Sequence, residues 1–284
     1  MESTAKLERG RLAPVDCWTI VYILVSIVIL FMRFPPKAVY IPAAVLVCVA
    51  LVAALAPRAR RGGAAGAFLG EFYPVLLTIA LYNEVGWTNL VRGVSRDATV
   101  QKWEQALFGG QPSLHWMSAW PHPAVSSIFH LAYLSYYLIV LGTPLVLWFS
   151  GRREAARETI LIMMVTFYIS YTGFRLFPVA GPRFLFPLPD IPAVHTPVAA
   201  FVQKLVAGGS AWGTAFPSSH VAVAFANAAN AWRFRRRFGA VVWLMAVLLA
   251  LATVYGQFHY AIDALAGAAL AAVVLAVRIS ALRT

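Results

Sequence analysis

Eight stretches of the chain stay apolar for roughly the 20 residues a helix needs to cross a bilayer. They are residues 17–34, 39–56, 67–85, 125–149, 157–177, 217–233, 239–257 and 259–280. Polar positions interrupt the third at Glu84 and the sixth at Asn227. Between the runs the pattern changes twice over long segments. Residues 86–124 contain WTNLVRGVSRDATVQKWEQALFG, a mixture that predicts an amphipathic segment lying along the membrane surface. Residues 178–215 open with PVAGPRFLFPLPDIPAVHTP, whose six prolines exclude one continuous helix. The pattern predicts an all-α, polytopic membrane bundle of about eight transmembrane helices. Residues 1–16 read as a polar tail, 17–66 as two N-terminal spans, and 67–284 as a catalytic membrane domain.

Composition agrees. With 61% hydrophobic and 12% charged residues, the chain lacks the charged surface of a soluble domain. A net charge of +12 would suggest nucleic acid in a soluble protein. Here the basic residues cluster between apolar runs and leave no basic face with interleaved aromatics, so no nucleic-acid partner is expected. Arg58, Arg60 and Arg61 follow the second run, Arg152, Arg153 and Arg157 flank the loop after the fourth, Arg233 and Arg235–Arg237 follow the sixth, and Arg283 follows the eighth. Eight spans and a cytoplasmic N-terminus put every cluster on the cytoplasmic side, in keeping with the positive-inside tendency. The start, MESTAKLERGRLAPVD, reads as a cytoplasmic tail before a retained helix rather than a cleaved signal. Cys17 and Cys48 have no metal-ligand spacing, and nothing in the pattern supports a disulfide between them.

Three polar clusters then fall on the opposite, outer face. Arg175 ends the fifth run, with Gly181-Pro182-Arg183 beyond it; Phe216-Pro217-Ser218-Ser219-His220 opens the sixth; His259-Tyr260-Ala261-Ile262-Asp263 opens the eighth. The sixth run goes inward and the seventh returns, which brings His220 and His259 to one membrane depth. A helix start carrying Pro217, Ser218 and Ser219 offers N–H groups and hydroxyls to a phosphate. Arg183 adds a forked, permanently charged donor, and Arg175 is a second candidate. His259 and Asp263, four apart, share one helix face. The carboxylate can hold the imidazole in one tautomer, which makes His259 a candidate nucleophile toward phosphorus. His220 is then a candidate general acid for the leaving oxygen. Either histidine alone would read as an interfacial residue.

The order Gly-Pro-Arg, Phe-Pro-Ser-Ser-His, His-Tyr-Ala-Ile-Asp resembles the three-part signature of the type 2 phosphatidic acid phosphatase superfamily, over about residues 125–280. The second part of that signature is typically Pro-Ser-Gly-His, and Ser219 stands where the glycine would be. The third, a histidine followed four residues later by aspartate, is matched by His259 and Asp263. The resemblance implies a six-helix core, a phosphohistidine on His259, acid catalysis by His220, orientation of the nucleophile by Asp263, and no required metal or cofactor. Two features depart from it. Thr253 stands where an arginine usually precedes the third-part histidine by six residues. Arg175 and Arg183 are eight apart instead of seven, with the proline before Arg183 rather than after. These departures, with the stretches DATVQKWEQALFGGQP and FHLAYLSYYLIVLGTPLVLW, are similar to the branch that contains inositol phosphorylceramide synthases and their bacterial relatives.

The expected function is transfer of a phosphoryl group, or a phosphorylated headgroup, from a lipid phosphate to water or an alcohol. The acceptor could be of the inositol type, the partners are membrane lipids, and the site faces the extracytoplasmic side of the plasma membrane. The competing reading is a lipid-phosphate transporter or binding protein that uses the same cluster only to hold a headgroup. Asn83 and Glu84 read as cap and interface residues, and Asp97 and Glu104 as a solvated face. Tyr136 and Tyr137 read as packing or headgroup contacts, His115, His122 and His130 as interfacial or packing residues, and His195 has no assigned role.

Overall fold

A computed structural model of the chain describes residues 12–281, so Arg283 and most of the 1–16 tail lie outside the described residues. Among the described residues there is no strand, only an isolated bridge between Val179 and Thr214. The all-α class is as expected, and most of the helices are longer than the apolar runs. α1 (Pro14–Arg33), α2 (Pro36–Ala59) and α3 (Gly63–Arg92) run up and down. α1 and α2 open on prolines, whose missing N–H is no loss in a first turn. α3 passes well beyond the expected end near residue 85, because Glu84 is neutralised inside the bundle by Arg175 and does not break the helix. Gly93, at φ +67, caps it in the left-handed conformation.

The segment after α3 folds as two short helices, α4 (Asp97–Phe108) and α5 (Pro112–Ala119). α6 (Pro123–Phe149) contains a wide turn at Leu138–Gly142. Pro144 has no N–H for the Val140 carbonyl and its ring crowds that turn. Asn227 Nδ2 donates to the neighbouring Ile139 carbonyl at 3.3 Å. α7 (Arg153–Leu176) follows. The proline-rich segment holds α8 (Pro182–Leu185) and α9 (Pro197–Gly209), and the chain closes with α10 (Ser219–Phe234), α11 (Arg236–Tyr255) and α12 (Ala261–Ala281).

Seven of these helices are long and apolar enough to cross a membrane: α1, α2, α3, α6, α7, α11 and α12. The eighth expected span, α10, has 16 residues and falls short of that length. Its first residues form a cap and its last turn stops at the extended Arg235. α10 is instead enclosed by α7, α11 and α12. Ala222, Ala224, Ala226, Ala228 and Ala231 are fully buried, so neighbouring backbones approach closely. α1, α2, α3 and α7 share one apolar core around Leu30, Leu46, Leu81 and Phe174. α6, α9, α10 and α11 share another around Tyr133, Val202, Ala228 and Leu249. Leu24, Phe31, Leu55, Ile79, Leu244 and Val277 face outward, the apolar belt a lipid-embedded bundle presents.

The arginine clusters gather at one end. Arg60 makes two bonds to Asp16, at 2.5 and 2.8 Å. Arg60 and Arg157 both reach Glu71, and Arg152 donates to the Phe234 carbonyl. His220 and His259 lie at the other end, where α10 and α12 begin. Cys17 and Cys48 are both free thiols.

Candidate active site

The turn between α11 and α12 presents His259. The N–H groups of Phe258 and His259 both donate to the Thr253 carbonyl, at 2.9 and 3.0 Å. Gln257 takes a φ of +59 and donates from Nε2 to the carbonyls of Phe186 and Pro187, at 3.0 and 3.2 Å. This ties the proline-rich loop to the turn. Thr253 itself is buried, and its hydroxyl donates to Ala250 O at 2.7 Å. The residue in the expected arginine's place therefore acts through its backbone.

α10 is fixed to α12 at its first residue. Ser218 N–H donates to the Asp263 carbonyl at 2.9 Å, and Ser218 Oγ accepts from Val221 N–H at 3.4 Å as the helix cap. Asp263 Oδ2 in turn accepts from Tyr260 N–H at 2.9 Å. With both helix starts held, His259 Nε2 lies 3.4 Å from His220 Nδ1, and His259 Nδ1 lies 3.4 Å from Asp263 Oδ2. Tyr133 Oη is 3.3 Å from His220 Nε2, and the Tyr136 ring centre is 4.3 Å from that of His220.

A small pocket opens over the two histidines, with Tyr82, Tyr133, Arg183 and Phe184 on its walls. Arg183 is half-buried, and its Nη1 is enclosed without a hydrogen-bond partner. Among the described residues no carboxylate pairs with it. Burial lowers its pKa from the ordinary arginine value, the sign of a cation without an anion to compensate it.

The structure thus brings His220, His259, Asp263 and Arg183 together. Ser218 and Ser219 are buried at the start of α10, and Ser218 is spent as the cap. Arg175 is elsewhere. Its guanidinium is fully buried, bonds Ser26 Oγ at 2.6 Å and Tyr22 Oη at 3.2 Å, and pairs with Glu84. That pairing sets its place, because a buried guanidinium and a buried carboxylate neutralise each other. Asp97 and Glu104, expected on a solvated face, are both buried and bonded to the backbone of the site's loops. Sequence reasoning missed Tyr82 and Tyr133 as pocket walls. Spacing could have found the carboxylates, since Asp97, Val100 and Glu104 fall on one face of an amphipathic helix. His195 pairs with Asp190 on an exposed loop, away from the pocket.

A family model described as the PAP2 superfamily matches residues 98–277. The chain belongs to the PAP2 superfamily. Searches of curated proteins and of solved structures returned no match. PAP2 superfamily proteins are generally phosphatases, so membership and the apolar helices together describe an integral membrane protein of the phosphatase type. The match takes in α4 as well as the three-part motif, and it begins upstream of the span near residue 125 where the motif resemblance starts.

Proposed function

We propose that this protein transfers a phosphoryl group, or a phosphorylated headgroup, from a lipid phosphate through a phosphohistidine on His259 to water or an alcohol. The observation that carries the reading is Arg183, a cation with no carboxylate partner and an unbonded Nη1, in the same pocket as two facing histidines. A pocket so arranged is complete only with an anion in it. His259 Nε2 attacks phosphorus, the bond from phosphorus to the leaving oxygen breaks, and His220 supplies that oxygen's proton. Arg183, with the first-turn N–H groups of α10, holds the remaining oxygens as charge develops. Asp263 stabilises the histidine as it becomes cationic. Water or an alcohol then attacks phosphorus, the bond from phosphorus to His259 Nε2 breaks, and the attacking group's proton passes to His220.

Phe184 and Leu185, both exposed beside the pocket, support a lipid rather than a fully water-soluble substrate. The arginine clusters at the opposite end support an extracytoplasmic site. Thr253 and the α4 stretch favour the branch of inositol phosphorylceramide synthases, hence an alcohol acceptor.

The test is purified protein with a panel of lipid phosphates, with and without a polyol, read by phosphate release and mass spectrometry of the lipid products. Orthovanadate should inhibit, and His259→Ala should abolish turnover while keeping the wild-type melting temperature. Full activity in that variant would overturn the mechanism. Lipid binding or translocation by the wild type without either product would favour the transporter reading.

A further inference from the structure

The mechanism leaves α4 without a task, yet its inner face is the most unusual surface near the site. Asp97, Val100, Gln101 and Glu104 recur at the spacing that aligns side chains along a helix. Asp97 and Glu104 are 4% and 0% exposed. A carboxylate withdrawn that far from water needs donors, and both obtain them from the two loops that carry the candidate catalytic groups. Asp97 Oδ2 accepts from Ala180 N–H and its Oδ1 from Gly181 N–H, each at 2.8 Å. The same Oδ1 accepts from the Tyr260 hydroxyl at 3.0 Å, and Gln101 Nε2 donates to the Tyr260 oxygen at 3.0 Å. Two turns further along α4, Glu104 Oε1 accepts from Ala261 N–H at 2.5 Å and Ile262 N–H at 3.3 Å, in the first turn of α12.

Ala180 and Gly181 lead into Arg183, and Tyr260 follows His259. One side chain therefore touches both the loop of the phosphate-binding arginine and the turn of the nucleophile. Gly181 sits at φ +92 with the Ala215 side chain close by, a conformation open to glycine and seldom to other residues.

We propose that α4 is a strut that sets the Arg183 loop against the His259 turn, with Asp97 as the positioning residue that joins them and Glu104 as its anchor on α12. This rests on the phosphoryl-transfer reading above. Asparagine cannot replace Asp97, because its amide NH₂ would face the N–H of Ala180 or of Gly181, and the Arg183 loop would lose one of its two acceptors. The loop would then release Arg183 while the core of the bundle stayed intact.

The experiment measures orthovanadate binding to the detergent-purified full chain in the wild type, Asp97→Asn, Arg183→Ala and the double variant, with melting temperatures alongside. Asp97→Asn is expected to weaken vanadate binding about tenfold, the scale of a lost charged hydrogen bond. The double variant should bind within about twofold of Arg183→Ala alone, because both changes act through one guanidinium. A purely structural role would not produce that non-additivity. Should Asp97→Asn not fold, Tyr260→Phe, which removes only the bridging hydroxyl, carries the same comparison with an expected loss of about threefold. Wild-type binding in the folded variant, or losses that multiply with Arg183→Ala, would overturn the strut and leave the phosphate site standing. No vanadate binding by the wild type would overturn the phosphate site itself, and the strut with it.

Discussion

His259 Nε2 lies 3.4 Å from His220 Nδ1, and the neighbours of the pair bear on where each ring carries its protons. Asp263 sits beside His259 Nδ1 and favours the proton there. Nε2 of His259 is then left with the lone pair a nucleophile requires, which faces His220 Nδ1. To act as an acid His220 must carry protons on both nitrogens, with Nε2–H donating to the Tyr133 oxygen and Nδ1–H as the proton to be delivered. The network thus poises one histidine to attack and the other to donate.

The first prediction concerns that division of labour. His220→Gln should slow turnover of an alkyl lipid phosphate by about 10²–10⁴-fold, the usual worth of a positioned acid. With a nitrophenyl phosphate ester, whose leaving group needs no proton, the loss should be at most about tenfold. Steady-state rates on both substrates check it. Equal losses would remove His220 from proton delivery.

The second separates the two arginines. Arg183→Ala should lower kcat/KM by about 10²–10³-fold and leave the melting temperature unchanged, since its Nη1 supports nothing else in the fold. Arg175→Met should do the reverse. It strands Glu84 in the core, at a cost of about 3–5 kcal/mol. Adding Glu84→Leu should restore most of the lost stability. Thermal unfolding of the single and double variants decides between these roles.

How much of this was legible in the sequence follows from what each signal depends on. Long apolar runs specify membrane helices through local composition alone, so every expected span is found as a helix within a few residues of its place except the extended end of α3. His220, His259 and Asp263 could be brought together because counting spans fixes the ends of helices. Arg175 could not be placed that way. Whether a helix-end arginine faces the pocket or the core depends on Glu84, and that contact joins helices far apart in the chain. The same holds for Asp97 and Glu104, whose charge reads as solvated until the backbone donors of other loops are seen against them. α10 lies where the apolar run placed it, but that run did not show that a helix of 16 residues is held by enclosure among its neighbours instead of crossing at full span length.

The third prediction is a pH dependence of stability. Burial raises Glu104 from its ordinary 4.5 to about 7, while the N–H groups of Ile262 and Ala261 pull the other way. A raised acid favours folding while it is protonated in the native state. Its contribution is full below about pH 4.5 and is lost as pH rises through about 7. The shift corresponds to at most about 3 kcal/mol. Glu104→Gln keeps an oxygen for both N–H groups and cannot ionise. Its melting temperature should fall less than that of the wild type between about pH 5 and 8, and parallel curves would remove Glu104 as the source.

The last prediction concerns the contact that sets the spacing of the two histidines. Gly267 lies one turn beyond Asp263 on the same face of α12. A Cβ there would stand 2.4 Å from the Ser218 carbonyl oxygen and 3.2 Å from Ala222 N. Both atoms belong to the α10 backbone, so no side chain can swing aside and the helices must part. The Ser218 N–H bond to the Asp263 carbonyl sits at the same crossing and would stretch with them. Gly267→Ala should therefore move His220 away from His259. A displacement of about 1 Å is enough to lose up to about 10²-fold in rate, with KM changed far less than kcat because Arg183 lies on a separate loop. Overpacking should also cost about 1–3 kcal/mol of stability. Gly208→Ala is the control, since a Cβ at that position meets nothing within 4 Å. If Gly267→Ala turned over at the wild-type rate, the spacing of the histidines would have to be set by the loops alone, and the α10–α12 crossing would lose its place in the geometry of the site.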